Sequence, residues 1–327
     1  AGGEAGLDSR GWPSPFHLVR AVFGFGELTR GERCRAIEVL VSAALDRAGE
    51  KWRASTVSEW LQACGQSQNA VRALWGPFCI AALNEPVETA SAALFGEVLR
   101  RAFLGRASDA RVLVGRVGLS RLLVDRAIDV ISACGGDVRL GCAARRLIVR
   151  GGRVAAVVIG AGHELEVDAV VSALPWGALR SVVPAASDLA GRLAPLRGAP
   201  LVAVQLWLDR EICDKPFVGF LDSPVHWLFN RNEACDMETH SGPSVSLLIS
   251  AAYGHAGAGS EELGALALAE CRRLLPAARG AKVLHQFVYK ARDATLQARP
   301  DMLEHRPGPE TAWPNLFLAG DWTDTGL

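Results

Sequence analysis

The chain ends in an apolar run that meets a glycine and a carboxylate. Residues 316–322 read LFLAGDW, a strand-like stretch that reaches Gly320 and Asp321. Glycine lets a ligand approach the backbone closely, and an ionised aspartate accepts hydrogen bonds from hydroxyl groups. The small polar residues after Trp322 are typical of the start of a helix, where free N–H groups attract anions. The spacing predicts one wall of a ligand site, although Gly-Asp after a strand also occurs in ordinary turns.

Three other polar residues lie in apolar surroundings. Asn84, in AALNEP, is a candidate polar anchor for a ligand and equally a candidate helix C-cap. His226 and His285 lie in predicted strands and could act as acids, whereas a lone histidine in a strand is usually structural. The seven histidines are dispersed, so no stretch has the ligand spacing of a zinc site, and no metal is expected.

Composition restricts the class of protein. With 327 residues, half of them apolar, the chain can bury a large core and is expected to form two domains. Lys and Arg together number 35, as do Asp and Glu, and no basic block is present, so nucleic acid is not an expected partner. The eight cysteines form no C-x-x-C pair, which predicts reduced thiols in a cytoplasmic protein.

Signals of membrane insertion and of a phosphate loop are missing from the sequence. No apolar run approaches the roughly 18 residues that cross a bilayer, and residues 1–12 lack the basic start and apolar middle of a signal peptide. Gly24-Phe25-Gly26 lacks the preceding strand and the third glycine of a dinucleotide-binding loop. It is therefore interpreted as a helix break.

Residues 16–105 have the period of helices. The apolar face predicted for RCRAIEVLVSAALDRAG consists of Ile37, Leu40, Val41, Ala44 and Leu45. The next helix begins with Thr56-Val57-Ser58-Glu59, a capping-box pattern. Two more helices are expected, one in VRALWGPF and one after NEP. This part of the chain is predicted to be a helical lobe.

After a helix in LSRLLVDRAIDVISACGG, short runs of β character follow. Gly151-Gly152 suits a two-residue hairpin turn, because both positions tolerate positive φ. The continuous apolar run Asp168 to Leu174 predicts a strand buried on both faces, as in a parallel sheet. Four runs between Pro200 and Tyr253 predict an antiparallel sheet, followed by a helix in EELGALALAECRRLLP and a strand in AKVLHQFVYK.

The unit from Gly135 to Pro175 and the terminal LFLAGDW together resemble flavoproteins of the amine oxidase and phytoene desaturase superfamily. The resemblance implies an α/β fold, in which an FAD-binding Rossmann-like domain is interleaved with an α+β substrate domain of antiparallel sheet and helical lobe. It implies FAD as cofactor and places the Asp321 carboxylate against a ribityl hydroxyl. The implied cofactor-binding residues are Val138, at the adenine pocket, and Ala173, Gly320, Asp321 and Trp322.

The same resemblance divides the chain into four segments. Residues 1–115 are assigned to the helical part of the substrate domain and residues 116–185 to the FAD-binding domain. Residues 186–290 are assigned to the sheet and helix of the substrate domain, and residues 291–327 return to the FAD-binding domain. The superfamily's G-x-G-x-x-G unit and final helix are not in the chain, which starts without Met. We therefore expect both ends to lie inside a longer protein.

Five phrases narrow the resemblance. TVSEWLQACGQ, LWGPFCIAALNEP, ETASAALFGEVLRRAFLG, HWLFNR and WPNLFLAGDWTDTGL are similar to hydroxysqualene dehydroxylases of bacterial hopanoid synthesis. The implied reaction is the FAD-dependent reduction of hydroxysqualene to squalene, a long apolar isoprenoid. Alternatives are a carotenoid or phytoene desaturase, an amine oxidase, and a non-catalytic lipid-binding protein that has lost FAD.

In such a fold, an apolar sheet face would line the substrate cavity. The resemblance assigns Trp207, Trp227 and Phe229 to that face, with Asn84 as the polar anchor, although large apolar side chains on strands are more often plain core. Amine oxidases of the superfamily hold a lysine near the flavin on a comparable strand. Lys290 and Arg292 are the corresponding weak catalytic candidates.

An insoluble substrate predicts peripheral contact with the inner face of the membrane. The first helix offers apolar side chains near Arg20 and Arg30, and these side chains could equally pack in a core. The predicted contact residues are Trp12, Phe16, Leu18, Val22 and Phe23.

Overall fold

The computed structural model describes residues 6, 16–45, 51–106, 108–109, 113–234 and 242–326. The chain forms two units, each assembled from separate segments. Unit 1 contains residues 1–122, 199–294 and 298–300, and unit 2 contains residues 123–198, 295–297 and 301–327. The boundary at 198/199 lies 13 residues from the predicted boundary at 185/186, and the assignment of the segments to an FAD-binding and a substrate domain stays a prediction.

The helices are given in chain order. They are α1 Phe16–Gly24, α2 Arg30–Leu45, α3 Val57–Ala63, α4 Gln68–Ala70, α5 Gly76–Leu83, α6 Ala92–Phe103, α7 Asp125–Ala133, α8 Trp176–Val182, α9 Asp188–Leu193, α10 Arg231–Ala234, α11 Ser260–Leu274 and α12 Pro300–Leu303. π-helical turns at Val71–Trp75 and Ser120–Val124 lead into α5 and α7, and a 3₁₀ turn follows α11 at Pro276–Gly280.

The strands form three sheets. They are β1 Ala144–Arg150, β2 Arg153–Ile159, β3 His163–Glu166, β4 Val170–Ser172, β5 Gly198–Leu208, β6 Phe217–Gly219, β7 Trp227–Asn230, β8 Ser244–Ile249, β9 Val283–Leu296 and β10 Leu316–Leu318. Their spatial orders are β1-β2-β3, β10-β4 and β6-β7-β8-β5-β9.

A helix capping box and a cluster of aromatic rings stabilise the helical lobe of unit 1. The capping box of α3 is confirmed: the Thr56 hydroxyl accepts from the Glu59 N–H, and the Glu59 carboxylate accepts from the Thr56 N–H. The rings of Trp60 and Trp75 each contact Phe95 edge-on, with centroids 6.4 Å apart. All three side chains are buried.

The buried face of α2 differs from the predicted one. Ala36, Val39, Leu40 and Ala43 are buried, whereas the predicted face residues Val41, Ala44 and Leu45 are exposed. Both sets satisfy the helical period, so the period alone does not select between neighbouring faces. The lobe core selects the face with the smaller side chains.

The five-stranded sheet of unit 1 packs one face against α11. Strand β5 is antiparallel to β8, as are β7 to β8 and β6 to β7, which confirms the predicted antiparallel sheet. Along β5 the even-numbered residues Val202 to Leu208 are buried, together with Leu263, Ala267 and Cys271 of α11. The odd-numbered residues of β5 therefore face away from this core.

Unit 2 contains the predicted hairpin and a parallel strand pair. Gly151 and Gly152 have φ of 57° and 73°, as the turn between β1 and β2 requires. The parallel pairing of β4 with β10 is confirmed. Burial on both faces is wrong: Val171 is 68% exposed, because one face of this pair is uncovered in the described structure.

A buried asparagine joins the hairpin to the parallel pair. The Asn315 amide Nδ2 donates to the carbonyl oxygens of Val154 (2.8 Å) and Asp168 (2.9 Å), and its Oδ1 accepts from the Val154 N–H (3.0 Å). Because Asn315 immediately precedes β10, these bonds fix the position of the strand that leads to Gly320 and Asp321.

Candidate functional site

Two chain segments leave the parallel pair at the same edge of unit 2. The Ala319 N–H donates to the Ser172 carbonyl oxygen at 2.9 Å, so Ala173 and Gly320 both lie just beyond the carboxyl ends of their strands. Ligands of open α/β sheets bind outside this edge. The side chains of Ala173 and Asp321 are exposed there.

The glycine of the Gly-Asp pair is required by the turn itself. Gly320 has φ of 141°, and a Cβ at this position would lie 2.8 Å from the indole Nε1 of Trp322. That indole is buried in the core of unit 2 and donates to the Leu174 carbonyl oxygen at 3.1 Å. Trp322, predicted to bind cofactor, thus has a structural position that holds Asp321 at the edge.

Sequence reasoning missed Arg306, which holds the same turn from behind. Its guanidinium donates to the backbone carbonyl oxygens of Asp321 (3.1 Å), Trp322 (3.4 Å) and Thr323 (2.5 Å). Burial lowers the pKa of Arg306, a cost that the charges of Asp324 and Asp321 oppose. A lone arginine in the Pro-rich phrase HRPGPE gives no signal of this role.

Val138, the predicted adenine-pocket residue, lies between α7 and β1. This segment has neither helix nor strand hydrogen bonding, and the Val138 side chain is exposed. An irregular, exposed backbone segment is compatible with recognition through main-chain groups. The assignment to adenine stays a prediction.

Cross-strand pairing assigns the predicted substrate residues to a face of the five-stranded sheet. Phe229 pairs with Ser246, and Ser246 pairs with Gln205, so the three side chains share a face. Trp227 lies two residues before Phe229, and Trp207 lies two residues after Gln205, so both share it as well. Trp207, Trp227 and Phe229 are half-buried and lie opposite the face that packs against α11.

Strand β9 extends this aromatic face. The ring of His285 lies 5.1 Å from that of Trp207, which places His285 on the same face. Phe287 and Tyr289 alternate with it and are exposed. We call the set Trp207, Phe217, Trp227, Phe229, Leu248, Phe287 and Tyr289 the aromatic face. It offers a long hydrocarbon a broad apolar surface.

Asn84 caps α5 and ties the lobe to the sheet. Its φ of 52° is the left-handed conformation of a helix C-cap. Its Nδ2 donates to the carbonyl oxygens of Ala199 (3.3 Å) and Pro200 (3.4 Å), and its Oδ1 accepts from the Ala251 N–H at 2.7 Å. The structure thus shows the cap role, while an anchor role toward substrate stays a prediction.

The next residue is the centre of a buried polar cluster. The Glu85 carboxylate is fully buried, and its Oε1 accepts from Arg299 Nε at 2.6 Å and from the Tyr253 hydroxyl at 2.7 Å. The guanidinium of Arg299 also lies 5.4 Å from the centroid of the Tyr253 ring. The three residues come from distant parts of the sequence, so no local pattern could have grouped them.

The electrostatics of this cluster keep Tyr253 and Arg299 protonated at neutral pH. Burial and then the hydrogen bond to Glu85 raise the pKa of Tyr253 to about 12. Burial opposes the charge of Arg299, but the hydrogen bond and charge of Glu85 outweigh it and raise the pKa of Arg299. Tyr253 is therefore a hydrogen-bond donor to Glu85 and a poor acid.

His226, which immediately precedes β7, has a fixed tautomer. Its Nδ1 accepts from the Ser250 N–H at 3.1 Å, so the proton of the neutral ring lies on Nε2. Burial, and then the charge of His255, lower the pKa of His226. The imidazole is neutral near pH 7, which suits a structural acceptor better than an acid.

Comparison with known proteins identifies the family of the chain. Residues 13–327 match the family of flavin containing amine oxidoreductases. The chain belongs to this family. The match confirms the predicted flavoprotein fold and flavin as the cofactor class.

Curated relatives of this flavin family share substantial sequence with the chain. It is 34% identical to hydroxysqualene dehydroxylase of Rhodopseudomonas palustris, over 78% of this chain and 57% of that protein. It is 30% identical to the enzyme of the same name from Sinorhizobium fredii, over 78% and 58%. A 15-cis-phytoene desaturase of Synechococcus elongatus is 26% identical over 60% and 44%. The chain therefore spans just over half the length of the hydroxysqualene dehydroxylases that it matches.

Solved structures show the same fold. An oxidoreductase from Methanosarcina mazei superposes with a TM-score of 0.68 at 16% identity, covering 90% of this chain and 68% of that one. Putrescine oxidase bound to putrescine superposes with a TM-score of 0.61 at 14% identity, over 89% and 70%. At these identities the likeness concerns the fold alone.

The lysine expected from amine oxidoreductases does not lie on the aromatic face. Lys290 and Arg292 alternate with Tyr289 along β9 and therefore lie on the opposite side of the strand. Both are exposed, and Lys290 Nζ donates to the carbonyl oxygen of Ala258 at 2.8 Å. A catalytic role for either residue stays a prediction.

The remaining predictions concern metals and membranes. Within the described residues, no group of three His, Cys, Asp or Glu side chains could hold a metal ion. None of the described helices is long and apolar enough to cross a membrane. In α1, Leu18 and Val22 are buried in the lobe core, so their predicted contact with the membrane is wrong. Phe16 and Phe23 are exposed. Trp12 lies outside the described residues.

Proposed function

We propose that the chain is part of an FAD-dependent oxidoreductase that reduces hydroxysqualene to squalene. The observation that carries this proposal is the 34% identity with a hydroxysqualene dehydroxylase across 78% of the chain. The aromatic face supports it, because a C30 hydrocarbon needs an extended apolar surface with few polar groups.

The residues at the edge of the parallel pair fit FAD. The exposed Asp321 carboxylate can accept a hydrogen bond from a ribityl hydroxyl, and Ala173 and Gly320 present main-chain groups without bulk. Arg306 and the Trp322 indole hold the turn from the protein side, so the carboxylate is positioned before the ligand arrives. Reduced FAD, when bound, supplies the hydride that replaces the hydroxyl of the substrate.

The sheet would bind and shield the substrate. Trp207, Trp227 and Phe229 would contact the hydrocarbon and exclude water from it. Loss of the hydroxyl as water also needs a proton donor, and the fixed tautomer of His226 and the raised pKa of Tyr253 make both weak donors. Asn84 is assigned a bracing role at the end of the sheet.

Product analysis tests the reaction. The intact protein, with FAD reduced under anaerobic conditions, should convert hydroxysqualene to squalene, which gas chromatography detects. Conversion of phytoene instead would indicate a desaturase, like the phytoene desaturase that is 26% identical over 60% of the chain. Oxygen uptake with amines would indicate an amine oxidase, and a purified protein without a flavin absorption band would indicate a lipid-binding protein.

We also propose peripheral membrane contact through Phe16 and Phe23. Both are exposed on α1, near the exposed Arg20, and an apolar pair beside a cation suits an anionic interface. Co-sedimentation with vesicles of anionic phospholipid should fall when both are replaced by Ser. Unchanged binding would contradict the contact.

A further inference from the structure

Two polar side chains lie beside the residues of the aromatic face. Gln205 of β5 and Ser246 of β8 are direct cross-strand partners, and both point to the same side as Phe229 and Trp227. The neighbouring pairs on this side are Ala203 with Leu248, Trp207 with Ser244, and Phe217 with Phe229. A glutamine and a serine are therefore set side by side among large apolar side chains.

The glutamine is oriented by a neighbour. Its Oε1 accepts a short hydrogen bond from Arg231 Nη1, at the start of α10. With the oxygen held by Arg231, the amide Nε2 and its two hydrogens are left for another partner. Among the residues that the structure describes, neither this Nε2 nor the Ser246 hydroxyl has a hydrogen-bond partner. Both side chains are half-buried, so a ligand can reach them.

We propose that Gln205 and Ser246 form the site that recognises the hydroxyl group of the substrate. This inference rests on the proposed function. It explains how the surface distinguishes the substrate alcohol from the hydrocarbon product. The Gln205 Nε2 donates a hydrogen bond to the substrate oxygen, and the Ser246 hydroxyl oxygen accepts a hydrogen bond from the substrate O–H. Covering these groups with a hydrocarbon would leave a donor and an acceptor buried without partners, which disfavours ligands that lack the hydroxyl.

Arg231 acts through Gln205 and is a positioning residue. It fixes which end of the amide faces the ligand, because an arginine can only donate and so selects the oxygen of Gln205. Replacing Gln205 by Glu should abolish the preference for the alcohol, because an ionised carboxylate can only accept hydrogen bonds and lacks the donor that the substrate oxygen needs.

The test compares the binding of two ligands, hydroxysqualene and squalene, to the intact protein by quenching of its tryptophan fluorescence. Two neutral hydrogen bonds predict that the wild type binds the alcohol about tenfold more tightly than the hydrocarbon. Gln205→Leu and Ser246→Ala together should reduce this preference to less than twofold while squalene binding is kept. Retained squalene binding also shows that the sheet is folded.

Gln286→Leu is the matched control. Gln286 lies on β9 toward α11, where its side chain contacts the position of Gly264, so it faces the other side of the sheet. This variant should keep the tenfold preference. If Gln205→Leu disturbs folding, the smaller change Ser246→Ala should still reduce the preference about threefold.

Two outcomes would overturn the inference. One is a wild type that binds both ligands equally, and the other is a double variant, or Ser246→Ala alone, that keeps the full preference. These outcomes are independent of turnover. A protein that prefers the alcohol but forms no squalene would contradict the proposed reaction and leave the recognition site supported.

Discussion

Arg299 and Arg306 stand close together in the sequence, yet the structure compensates their charges in different ways. Arg299 meets the opposite charge of the buried Glu85 carboxylate, and its pKa is raised. Arg306 meets three backbone carbonyl oxygens, and its pKa is lowered. The hydrogen bond and charge of Glu85 outweigh the cost of burial at Arg299, whereas the charges of Asp324 and Asp321 reduce that cost at Arg306 without cancelling it.

The difference matters for function because each arginine holds a different part of the candidate site. Arg299 braces the end of the sheet in unit 1, together with Tyr253. Arg306 holds the turn of Asp321 in unit 2. Variants of these residues should therefore separate loss of the fold from loss of the ligand.

The largest effect is expected for Glu85→Ala. Removal of the carboxylate leaves the Arg299 charge and the Tyr253 hydroxyl without their partner, and we expect the free energy of unfolding to fall by about 3 kcal/mol. Urea denaturation followed by circular dichroism measures this loss. The exposed neighbour Glu88 provides the control, since Glu88→Ala should change stability by less than about 0.5 kcal/mol. A similar value for both variants would contradict the ion-pair interpretation.

Arg306→Met should have the next largest effect. The carbonyl oxygens of Asp321, Trp322 and Thr323 would lose their common donor, at a cost of about 2 kcal/mol in the free energy of unfolding. Flavin content, read from the visible absorption spectrum, should fall as well because the turn loosens. Arg180→Met, at an exposed arginine of α8, should change neither quantity.

Asp321→Ala sharpens the same comparison. Its side chain is exposed, so stability should change by less than about 0.5 kcal/mol, while flavin affinity should fall about tenfold or more with the loss of a charge-assisted hydrogen bond. Titration of the apoprotein with FAD measures this. Equal losses of affinity for Asp321→Ala and Asp324→Ala would contradict a specific role for Asp321.

Tyr253→Phe should remove about 1 kcal/mol, the value of one hydrogen bond to Glu85. The pKa of Tyr253 rises from 10 to about 12 on folding, so its contribution is complete below pH 10 and is lost as the pH rises toward 12. The stability difference between wild type and variant should therefore shrink across this window. Tyr289→Phe, at an exposed tyrosine, is the control.

The smallest effect tests a carboxylate that, like Arg306, is held by neutral groups. Hydrogen bonds from Ser67, from the Thr29 N–H and hydroxyl, and from Asn69 lower the pKa of Glu32 to about 2, against the effect of burial. Its contribution is present above pH 4.5 and is lost as the pH falls toward 2. Glu32→Gln should cost about 0.5 kcal/mol at pH 7 and nothing near pH 2, with Glu38→Gln as the exposed control on the same helix.

Local chemistry made much of the fold predictable. The Thr56 capping box, the Gly151-Gly152 turn and the alternation of the sheet depend on neighbouring residues, and the structure shows all three. The short helices α8 and α9 were missed because they span about two turns and lack a strong apolar period.

The polar contacts of the site could not be predicted in the same way. Glu85 and Arg299 are separated by 214 positions, and Arg306 bonds to carbonyl oxygens that every residue type carries. Pairing register between distant segments, which no short stretch of the sequence shows, decides that Gln205 lies beside Ser246. The aromatic residues were found because their size and position on strands are visible in the sequence.

The hydrogen bond from the Ala251 N–H to Asn84 also bears on the time course of folding. It joins residues separated by 167 positions, and both residues adopt positive φ, which neither adopts readily by itself. Contacts of such long range form late, since the entropy of closing the intervening chain is lost before they are gained. Asn84→Ala should therefore accelerate unfolding and leave the refolding rate nearly unchanged, which makes this contact a determinant of the lifetime of the native state.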